Sequence, residues 1–383
     1  MFLYIILSIY YVLCILIELG LKNKNKKINE NFWIFILLFP LFFLAAFRSV
    51  NVGNDTYNYF RSFNLISQES LFSSTVSRLE IGYVFLVKFL SKLGLNYLGF
   101  QVVVNLFIYY VFGITIKKYS KFYSVSAFVF FNMNMFFQTM NISRAYLAIS
   151  FLLLSIKYII DRNFIKFLIF VLIATLFHTS AIVFLIIYPF TYLKWTYKKF
   201  LIFIFISISV SLFFNQIIEL FIQITGRYEG YLSSKYFQFE DNIARYFYLL
   251  FQLVFFIIGL FSRYYKLNIL TIANKSNNVI DSIKKLNINE QSIKINLWFS
   301  STTITLLIAI AGLKATIMSR IGIYFSTLYI IYIPEIINHI KTLKIGKLLT
   351  FVILTLLLFY FYIIMIYRPN WIGVIPYEFY WNN

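Results

Sequence analysis

The chain has 383 residues, of which 61% are hydrophobic, 22% aromatic and only 13% charged, and its mean hydropathy is +0.80. A soluble domain carries about 25% charged residues, so this composition excludes an ordinary soluble protein. The net charge of +20 does not indicate nucleic-acid binding, because the basic residues form short clusters between apolar runs, as in proteins that are oriented across a membrane.

Cysteine and histidine are scarce. The one cysteine, Cys14, lies inside the first apolar run and excludes a disulfide framework. The two histidines lack the neighbouring cysteines and paired carboxylates of a transition-metal site. The sequence contains no P-loop or other nucleotide-binding motif. We therefore expect no metal and no other cofactor.

The apolar runs predict an all-α, polytopic integral membrane helical bundle that forms a single domain over residues 1–383. Each run is close to the ~20 residues that cross a hydrocarbon core of ~30 Å. The first run is interpreted as a retained span, because it lacks the basic start and the cleavage site of a signal peptide. About twelve spans are predicted: 2–20, 31–47, 98–116, 123–140, 143–160, 164–177, 179–193, 200–223, 243–262, 295–313, 318–337 and 348–367.

Two places depart from simple crossings. The stretch Ile81–Leu95 is short and carries Lys88 and Lys92 on one helical face, so we expect an amphipathic or re-entrant helix there. The spans 164–177 and 179–193 are also short, and basic residues flank the pair at the two ends away from the sequence HTS. This pattern indicates a tight helical hairpin that turns at HTS.

The basic residues predict the orientation. Lysine dominates alternate connections, which should therefore be cytoplasmic and leave both termini outside. Eight of the ten arginines fall on the outer side: Arg48, Arg61, Arg78, Arg144, Arg227, Arg245, Arg320 and Arg368. Arginine binds phosphate and carboxylate through a planar fork, so this asymmetry indicates an anionic ligand outside. The alternative is that some of these arginines pair with an outer carboxylate, namely Glu69, Glu80, Glu229, Glu240 or Asp241.

The polar stretch FRSVNVGNDTYNYF, residues 47–60, follows the second span without a break. Here Arg48 is a candidate phosphate ligand, and Asp55 is a candidate to position or deprotonate a hydroxyl. The alternative is a polar loop in which Arg48 snorkels and Asp55 caps a turn. Tyr59 of this stretch is a candidate sugar-binding residue.

Three further candidates lie at predicted helix ends. Glu80 is a possible second acid or sugar ligand, or simply a carboxylate at a helix N-terminus. Arg144 starts a span, where a cation is costly unless it is paired, faces a polar cavity or snorkels to headgroups. His178 stands at the hairpin tip, where it could accept a proton from a sugar hydroxyl, bond to pyrophosphate or form a hydrogen bond within the bundle.

Two weaker signals complete the candidate set. Lys314 and Arg320 bracket an outer turn and suit either a lipid pyrophosphate or ordinary phospholipid headgroups. Arg227 and Tyr228 lie in the longest outer loop, where tyrosine beside charge indicates a sugar-binding surface or an interfacial aromatic belt. Tyr83, in the sequence EIGY, is a further candidate for sugar binding.

In their order along the chain, these motifs resemble the EpsG/Wzy-like family of bacterial polysaccharide polymerases. The matching stretches are FRSVNVGNDTYNYF, EIGY, SRAYLA, LFHTSA, SRIGIYF and PYEF. One departure is Ala145, because the family commonly places glutamine directly after this arginine.

The resemblance implies a metal-independent glycosyltransferase in the bacterial cytoplasmic membrane, with its active site facing outside and a GT-C-like bundle as one option. Its substrates would be undecaprenyl-pyrophosphate-linked oligosaccharides, polymerised into a capsule, exopolysaccharide or O-antigen. Its expected partners are the surrounding membrane lipids, a flippase and a chain-length regulator. Nucleic acid is not an expected partner.

This reaction assigns roles to the candidates. Cations would stabilise the pyrophosphate leaving group, and a base would take the proton of the attacking hydroxyl. The candidate cations are Arg48, Arg144, Arg320 and Lys314, and the candidate bases are Asp55, His178 and Glu80. A flippase of lipid-linked sugar remains an alternative, although it should carry charges through the depth of several spans. A glycan ligase or acyltransferase at the same face also remains open.

Overall fold

The computed structural model describes residues 1–24, 26–70, 79–193, 195–225, 243–275, 282–313, 316–340, 344–367 and 372–382. Over these residues the chain is helical and forms no β-strand, apart from one isolated bridge between Arg48 and Phe379. The predicted all-α class is confirmed.

The α-helices of the described residues, numbered in chain order, are α1 (Phe2–Asn23), α2 (Glu30–Ala46), α3 (Thr56–Gln68), α4 (Ile81–Lys92), α5 (Tyr97–Tyr119), α6 (Tyr123–Asn132), α7 (Met135–Asn141), α8 (Ser143–Ile160), α9 (Phe164–Phe177), α10 (Ile187–Phe190), α11 (Tyr197–Leu212), α12 (Phe214–Thr225), α13 (Ile243–Lys275), α14 (Ser282–Ala311), α15 (Thr316–Ser326), α16 (Tyr329–Ile340) and α17 (Gly346–Tyr367). Two 3₁₀ helices cover Thr179–Ile186 and Tyr380–Asn382.

Asparagine caps fix the starts of three apolar helices. The side chains of Asn29, Asn96 and Asn163 each accept a hydrogen bond from the backbone N–H three residues later, at 3.3, 3.0 and 3.0 Å. A cap of this kind satisfies one of the N–H groups that a helix leaves without an internal partner. For this reason α2, α5 and α9 begin within one residue of the predicted starts.

Five helices of the described chain are long and apolar enough to cross a membrane: Phe2–Asn23, Tyr97–Tyr119, Ser143–Ile160, Glu290–Ala311 and Gly346–Tyr367. The number rises to six if the segments Arg320–Ser326 and Tyr329–Ile340 count as one broken span. Shorter apolar helices lie at most of the other predicted crossings. The polytopic membrane class is therefore confirmed, whereas the full set of twelve crossings and a GT-C-like arrangement stay predictions.

Several predicted spans are broken or shortened. The span expected over 123–140 is two helices, because Asn134 adopts a left-handed conformation with φ +60° between α6 and α7. The span expected over 200–223 is interrupted at Phe213. The hairpin's second arm begins as the 3₁₀ helix Thr179–Ile186. Helix α4 has 12 residues, about 18 Å, and is too short for a full crossing, as expected.

The chain divides into two compact units. The first comprises Met1–Ile182 with Tyr329–Asn383, and its interior is aromatic. Phe131 of α6 contacts Phe137 of α7 and Phe361 of α17, with ring centroids 5.5 and 5.0 Å apart. This core joins N-terminal and C-terminal helices of the unit, and α8 packs against both α5 and α9.

The second unit comprises Val183–Leu328. Helix α14 packs there against α11, α13 and α15. The ring of Phe256 stacks on Phe200 at 4.7 Å and contacts Phe299 at 5.5 Å. The expectation of a single domain over residues 1–383 stays a prediction.

Candidate active site

The polar stretch after α2 is held in place by the C-terminal segment. The N–H of Ser49 donates to the carbonyl of Glu378 at 2.9 Å, and the N–H of Gly53 donates to the carbonyl of Gly373 at 2.7 Å. The N–H of Tyr380 donates in turn to the carbonyl of Phe47 at 2.9 Å. The FRSVNVG and PYEF motifs, more than 300 residues apart in the sequence, are therefore one structural feature.

Arg48 is enclosed by this feature and is only 1% exposed. Its guanidinium donates to the carbonyls of Ala45 and Met140, the latter at 3.0 Å, and to the hydroxyl of Thr56 at 3.4 Å. These bonds tie together the end of α2, the start of α3 and the end of α7. A phosphate group does not reach the guanidinium in this arrangement. The structure thus places the Arg48 guanidinium between helix ends, where it stabilises their arrangement. Phosphate binding requires an accessible guanidinium instead.

Three other candidates meet at one point. The Glu80 carboxylate contacts Arg144 and His178 with its two oxygens: Oε2 lies 2.5 Å from Arg144 Nη1, and Oε1 lies 3.0 Å from His178 Nδ1. We call these three residues the Glu80 cluster. All three side chains are part-exposed. A cation and a titratable ring are thus held by one carboxylate in a position that a ligand can reach.

Helix ends build the Glu80 cluster. Glu80 occupies the N-cap position of α4, Arg144 is the second residue of α8, and His178 directly follows α9. Gly82 allows α4 and α9 to approach closely, because a Cβ atom there would lie only 2.8 Å from the Cβ and the carbonyl oxygen of Leu176. This contact sets the distance between Glu80 and His178.

Two tyrosines surround the Arg144 guanidinium. Its central carbon lies 5.6 Å from the ring centroid of Tyr59 and 5.4 Å from that of Tyr83, within the range of cation–π attraction. Tyr83 is only 2% exposed, and its hydroxyl has no hydrogen-bond partner among the described residues; the same holds for the buried Nε of Arg144. An unsatisfied buried polar group costs about 1–3 kcal/mol, so such groups usually have a water or ligand partner.

Electrostatics keep Glu80 ionised. Burial alone would raise its pKa, but the hydrogen bond with His178 and the charge of Arg144 outweigh burial and hold the pKa below its usual value. An ionised carboxylate only accepts hydrogen bonds, so His178 must donate through Nδ1. In the neutral ring this tautomer leaves Nε2 as the proton acceptor.

Asp55 occupies the N-cap position of α3, although its side chain does not cap the helix. It is half-buried and stands one turn before Tyr59. Burial raises the pKa of the Tyr59 hydroxyl, the Arg144 charge opposes this effect, and the Asp55 charge reinforces it. Asp55 is therefore close enough to Tyr59 to interact with its hydroxyl electrostatically.

The structure describes one of the four remaining candidates. Arg320 is exposed on α15 in the second unit. Arg227, Tyr228 and Lys314 lie outside the described residues. Within the described ranges, no group of three His, Cys, Asp or Glu side chains is arranged to hold a metal ion.

Sequence reasoning named every member of the Glu80 cluster and left pairing of an outer arginine with Glu80 open, but it missed the contact between Glu80 and His178. Glu80 is 64 residues from Arg144 and 98 residues from His178, and no local spacing encodes such pairings. The resemblance in motif order was the one available signal, because EIGY, SRAYLA and LFHTSA each contribute one member.

A family model described as the EpsG family matches residues 31–379 of the chain. The match covers nearly the whole sequence and includes every candidate residue discussed above. It confirms the resemblance that the motifs predicted. The chain has no significant match among curated proteins or solved structures.

Proposed function

The chain belongs to the EpsG family, and on that premise we propose that it polymerises undecaprenyl-pyrophosphate-linked oligosaccharide repeat units into a surface polysaccharide. Family membership supports, in general terms, a polysaccharide polymerase-like membrane protein. The finer proposal is a glycosyltransferase of the bacterial cytoplasmic membrane that works on the outer face. The product would be a capsule, exopolysaccharide or O-antigen chain.

The reaction joins two lipid-linked molecules. An acceptor sugar hydroxyl of one repeat unit attacks the anomeric carbon of the growing chain and forms a new glycosidic C–O bond. The bond from that carbon to the pyrophosphate oxygen breaks, and its electron pair leaves with undecaprenyl pyrophosphate. The hydroxyl proton passes to a base. This chemistry needs a base on one side of the anomeric carbon and a cation near the leaving group.

The Glu80 cluster is the observation that carries the proposal, because it holds both groups in one place. His178 Nε2 is the proposed proton acceptor, and the ionised Glu80 fixes its tautomer and stabilises the imidazolium that forms. A base oriented by a carboxylate is a recurrent arrangement in covalent and acid–base catalysis. Asp55, the other predicted base, is proposed to position the acceptor sugar through its effect on Tyr59.

Arg144 is the proposed pyrophosphate ligand. Glu80 engages its Nη1, whereas its Nε has no partner among the described residues. The Arg144 side chain is 25% exposed, so its open part can bond a phosphate oxygen, and charge-assisted bonds of this kind strengthen as the leaving group gains charge. Tyr83 contributes a hydroxyl and Tyr59 a ring surface for the substrate. Arg48 is proposed to support the site through its bond to Thr56 at the start of α3, the helix that carries Tyr59, without contacting the substrate.

The roles of the other candidates are also proposals. Arg320 and Lys314 would bind pyrophosphate, and Arg227 and Tyr228 would contact sugars. The outer-face orientation rests on the lysine-rich connections predicted to be cytoplasmic. A flippase that delivers the lipid-linked units and a chain-length regulator are the proposed protein partners, beside the membrane lipids.

The test is reconstitution of the purified full chain in vesicles with a synthetic undecaprenyl-pyrophosphate-linked repeat unit. The expected product is a ladder of oligomers, with a reduction of about 10²–10³-fold in Arg144→Ala, as for the loss of a transition-state hydrogen-bond donor. A chain that only flips the lipid, or only transfers one finished glycan, would refute the polymerase. In cells, deletion should remove the polysaccharide ladder and retain single repeat units.

A further inference from the structure

A buried amide joins the polar loop after α2 to the short helix that precedes Arg144. The N–H of Asn54 donates to Asn141 Oδ1 at 2.7 Å, and Asn141 Nδ2 donates to the carbonyl of Phe137 at 3.0 Å. Asn141 is the last residue of α7 and is only 9% exposed. One polar atom of its amide is therefore engaged with the loop and the other with its own helix. With so little exposure, Asn141 can affect a substrate only through other residues.

The polar stretch 47–60 is fastened to the last two residues of α7. A Cβ atom on Gly53 would lie 3.5 Å from Asn141 Oδ1 and 3.4 Å from the carbonyl oxygen of Met140, so the loop backbone lies directly against this helix end. The Met140 carbonyl also accepts from Arg48 and Thr56, at 3.0 and 3.3 Å. Of these hydrogen bonds, the one to Asn141 alone ends on a side chain of α7. A single substitution can therefore remove it without altering the loop.

The position of Arg144 depends on where α7 ends. The backbone leaves the α-helical conformation at Ile142, with φ −117° and ψ 53°, and α8 begins at Ser143. Arg144 therefore lies three residues beyond Asn141, across a break between two helices. Three residues span at most about 10 Å, so a shift at the end of α7 is passed on to the first turn of α8.

The other end of the loop leads to residues near Arg144. Asp55 directly follows Asn54, and Tyr59 lies one turn later on α3, with its ring centroid 5.6 Å from the central carbon of the Arg144 guanidinium. In the proposed reaction Asp55 and Tyr59 position the acceptor sugar, and Arg144 binds the leaving pyrophosphate. We propose that Asn141 is a positioning residue, which fixes these acceptor-side groups relative to Arg144. The inference rests on the proposed function.

Loss of this contact should lower the turnover number more than the affinity. A misplacement of about 1 Å in a reacting geometry costs about 100-fold in rate, whereas the binding groups stay on their own helices. Asn141→Ala should therefore lower kcat per folded molecule by about 10–100-fold and leave the KM of the synthetic lipid-linked repeat unit within about twofold. A merely structural role would lower the yield of folded protein and leave kcat per folded molecule unchanged.

A second buried asparagine provides the matched control. Asn132 Nδ2 donates to the carbonyl of Phe128 at 2.9 Å, also four residues back, and Asn132 Oδ1 has no partner among the described residues. Asn132→Ala removes the same kind of intrahelical bond without touching the loop, so kcat should stay within about twofold. Asn141→Asp is the conservative variant, because a carboxylate oxygen still accepts from the Asn54 N–H. It should restore most of the kcat that Asn141→Ala loses.

A distance measurement tests the same contact without polymerisation. Spin labels are attached at Arg61→Cys on α3 and Lys157→Cys on α8, two exposed positions, in the full chain in nanodiscs with Cys14→Ala. The distribution of distances between the labels should broaden when Asn141→Ala is added. Asn141→Asp and Asn132→Ala should leave the distribution as it is without them.

The outcomes separate the two proposals. Unchanged kcat per folded molecule in Asn141→Ala, or an equal loss in Asn132→Ala, would overturn the positioning role and keep the polymerase. A loss of kcat with an unchanged distance distribution would also overturn it, in favour of direct contact between Asn141 and the substrate. A wild-type chain that forms no polymer, beside a broadened distribution in Asn141→Ala, would refute the polymerase and keep the coupling of α3 to α8 through Asn141.

Discussion

The Glu80 carboxylate lies 3.0 Å from His178 Nδ1, although 98 residues separate them in the sequence. The contact orients the imidazole, and the same carboxylate holds Arg144 at 2.5 Å. A single residue therefore sets the positions of the proposed base and of the proposed pyrophosphate ligand. Paired substitutions can separate the chemical role of each group from a role in maintaining the fold.

Replacing His178 by alanine should reduce polymer formation by about 10²–10⁴-fold, the usual contribution of a general base. The matched control is the second histidine, because His339 lies 3.3 Å from Glu335 on α16 and thus also contacts a carboxylate. His339→Ala should leave the rate within about twofold, since residues outside the site have small effects. The measurement is the polymerisation rate of each variant in reconstituted vesicles. Equal losses of rate in both variants would contradict the proposed role of His178 as the base.

Glu80→Gln should lower the rate while the protein folds. Glutamine has nearly the same size but carries no charge, and it cannot both accept from His178 and pair with Arg144 as an ion. Loss of an orienting carboxylate beside a histidine base costs up to about 10⁴-fold in rate. Glu335→Gln, which alters the other histidine pair, is the control and should retain activity. A fully active Glu80→Gln would show that the ion pairs are incidental.

Sequence patterns predicted the helices well. They predicted the site only as separate candidate residues, without most of the contacts between them. Asn29, Asn96 and Asn163 precede apolar runs, so the helix starts could be predicted within one residue. The left-handed Asn134 that divides the run 123–140 could not, because that backbone conformation depends on tertiary packing. The burial of Arg48 was equally invisible, since its partners are carbonyl oxygens that every residue possesses.

The low pKa of Glu80 predicts how stability depends on pH. Its folded-state pKa lies below the unfolded value of about 4.3, so the unfolded chain binds the proton more readily. The stabilisation is therefore present above the unfolded pKa and is lost as pH falls through the folded pKa.

Thermal unfolding of the wild type and Glu80→Gln in nanodiscs measures this difference. The two unfolding temperatures should differ by a constant amount at neutral pH and converge only in acid, below the ordinary range of glutamate. Convergence already near neutral pH would mean that Glu80 is protonated there and contradict the ionised cluster.

We expect Arg48 to be required for the stability of the fold and not for the chemical step itself. Arg48→Ala removes the guanidinium from the carbonyls of Ala45 and Met140, which keep only the longer hydrogen bonds from Asn105 Nδ2 at 3.4 Å and Thr56 Oγ1 at 3.3 Å. Losing the charged donors costs about 2–4 kcal/mol. Arg61, an exposed arginine on α3, provides the control, and Arg61→Ala should cost less than about 0.5 kcal/mol. The yield of monodisperse protein and its unfolding temperature report the effect. An Arg48→Ala protein that is fully stable but inactive would instead favour direct substrate binding.

Backbone hydrogen bonds join the C-terminal segment (Gly373–Tyr380) to the loop after α2 (Phe47–Gly53), and we call this contact the clamp. It can be tested at one glycine. Gly373 has φ +63°, and a Cβ atom there would lie 2.2 Å from Asn54 Oδ1. Gly94 has φ +81°, but a Cβ atom on it would meet nothing within 4 Å, so a substitution there introduces the backbone strain without the clash. Gly94→Ala should therefore cost about 1–2 kcal/mol, the usual penalty for a left-handed alanine.

Gly373→Ala should cost more than Gly94→Ala, because the added methyl group also pushes the segment away from Asn54 and weakens the hydrogen bond from Gly53 N–H to Gly373 at 2.7 Å. Since that loop contains Arg48 and leads into α3, which carries Tyr59, activity should fall together with stability. Unfolding temperatures and polymerisation rates of both variants provide the measurement. Equal stability losses would mean that backbone strain alone matters at Gly373 and that the clamp does not support the site.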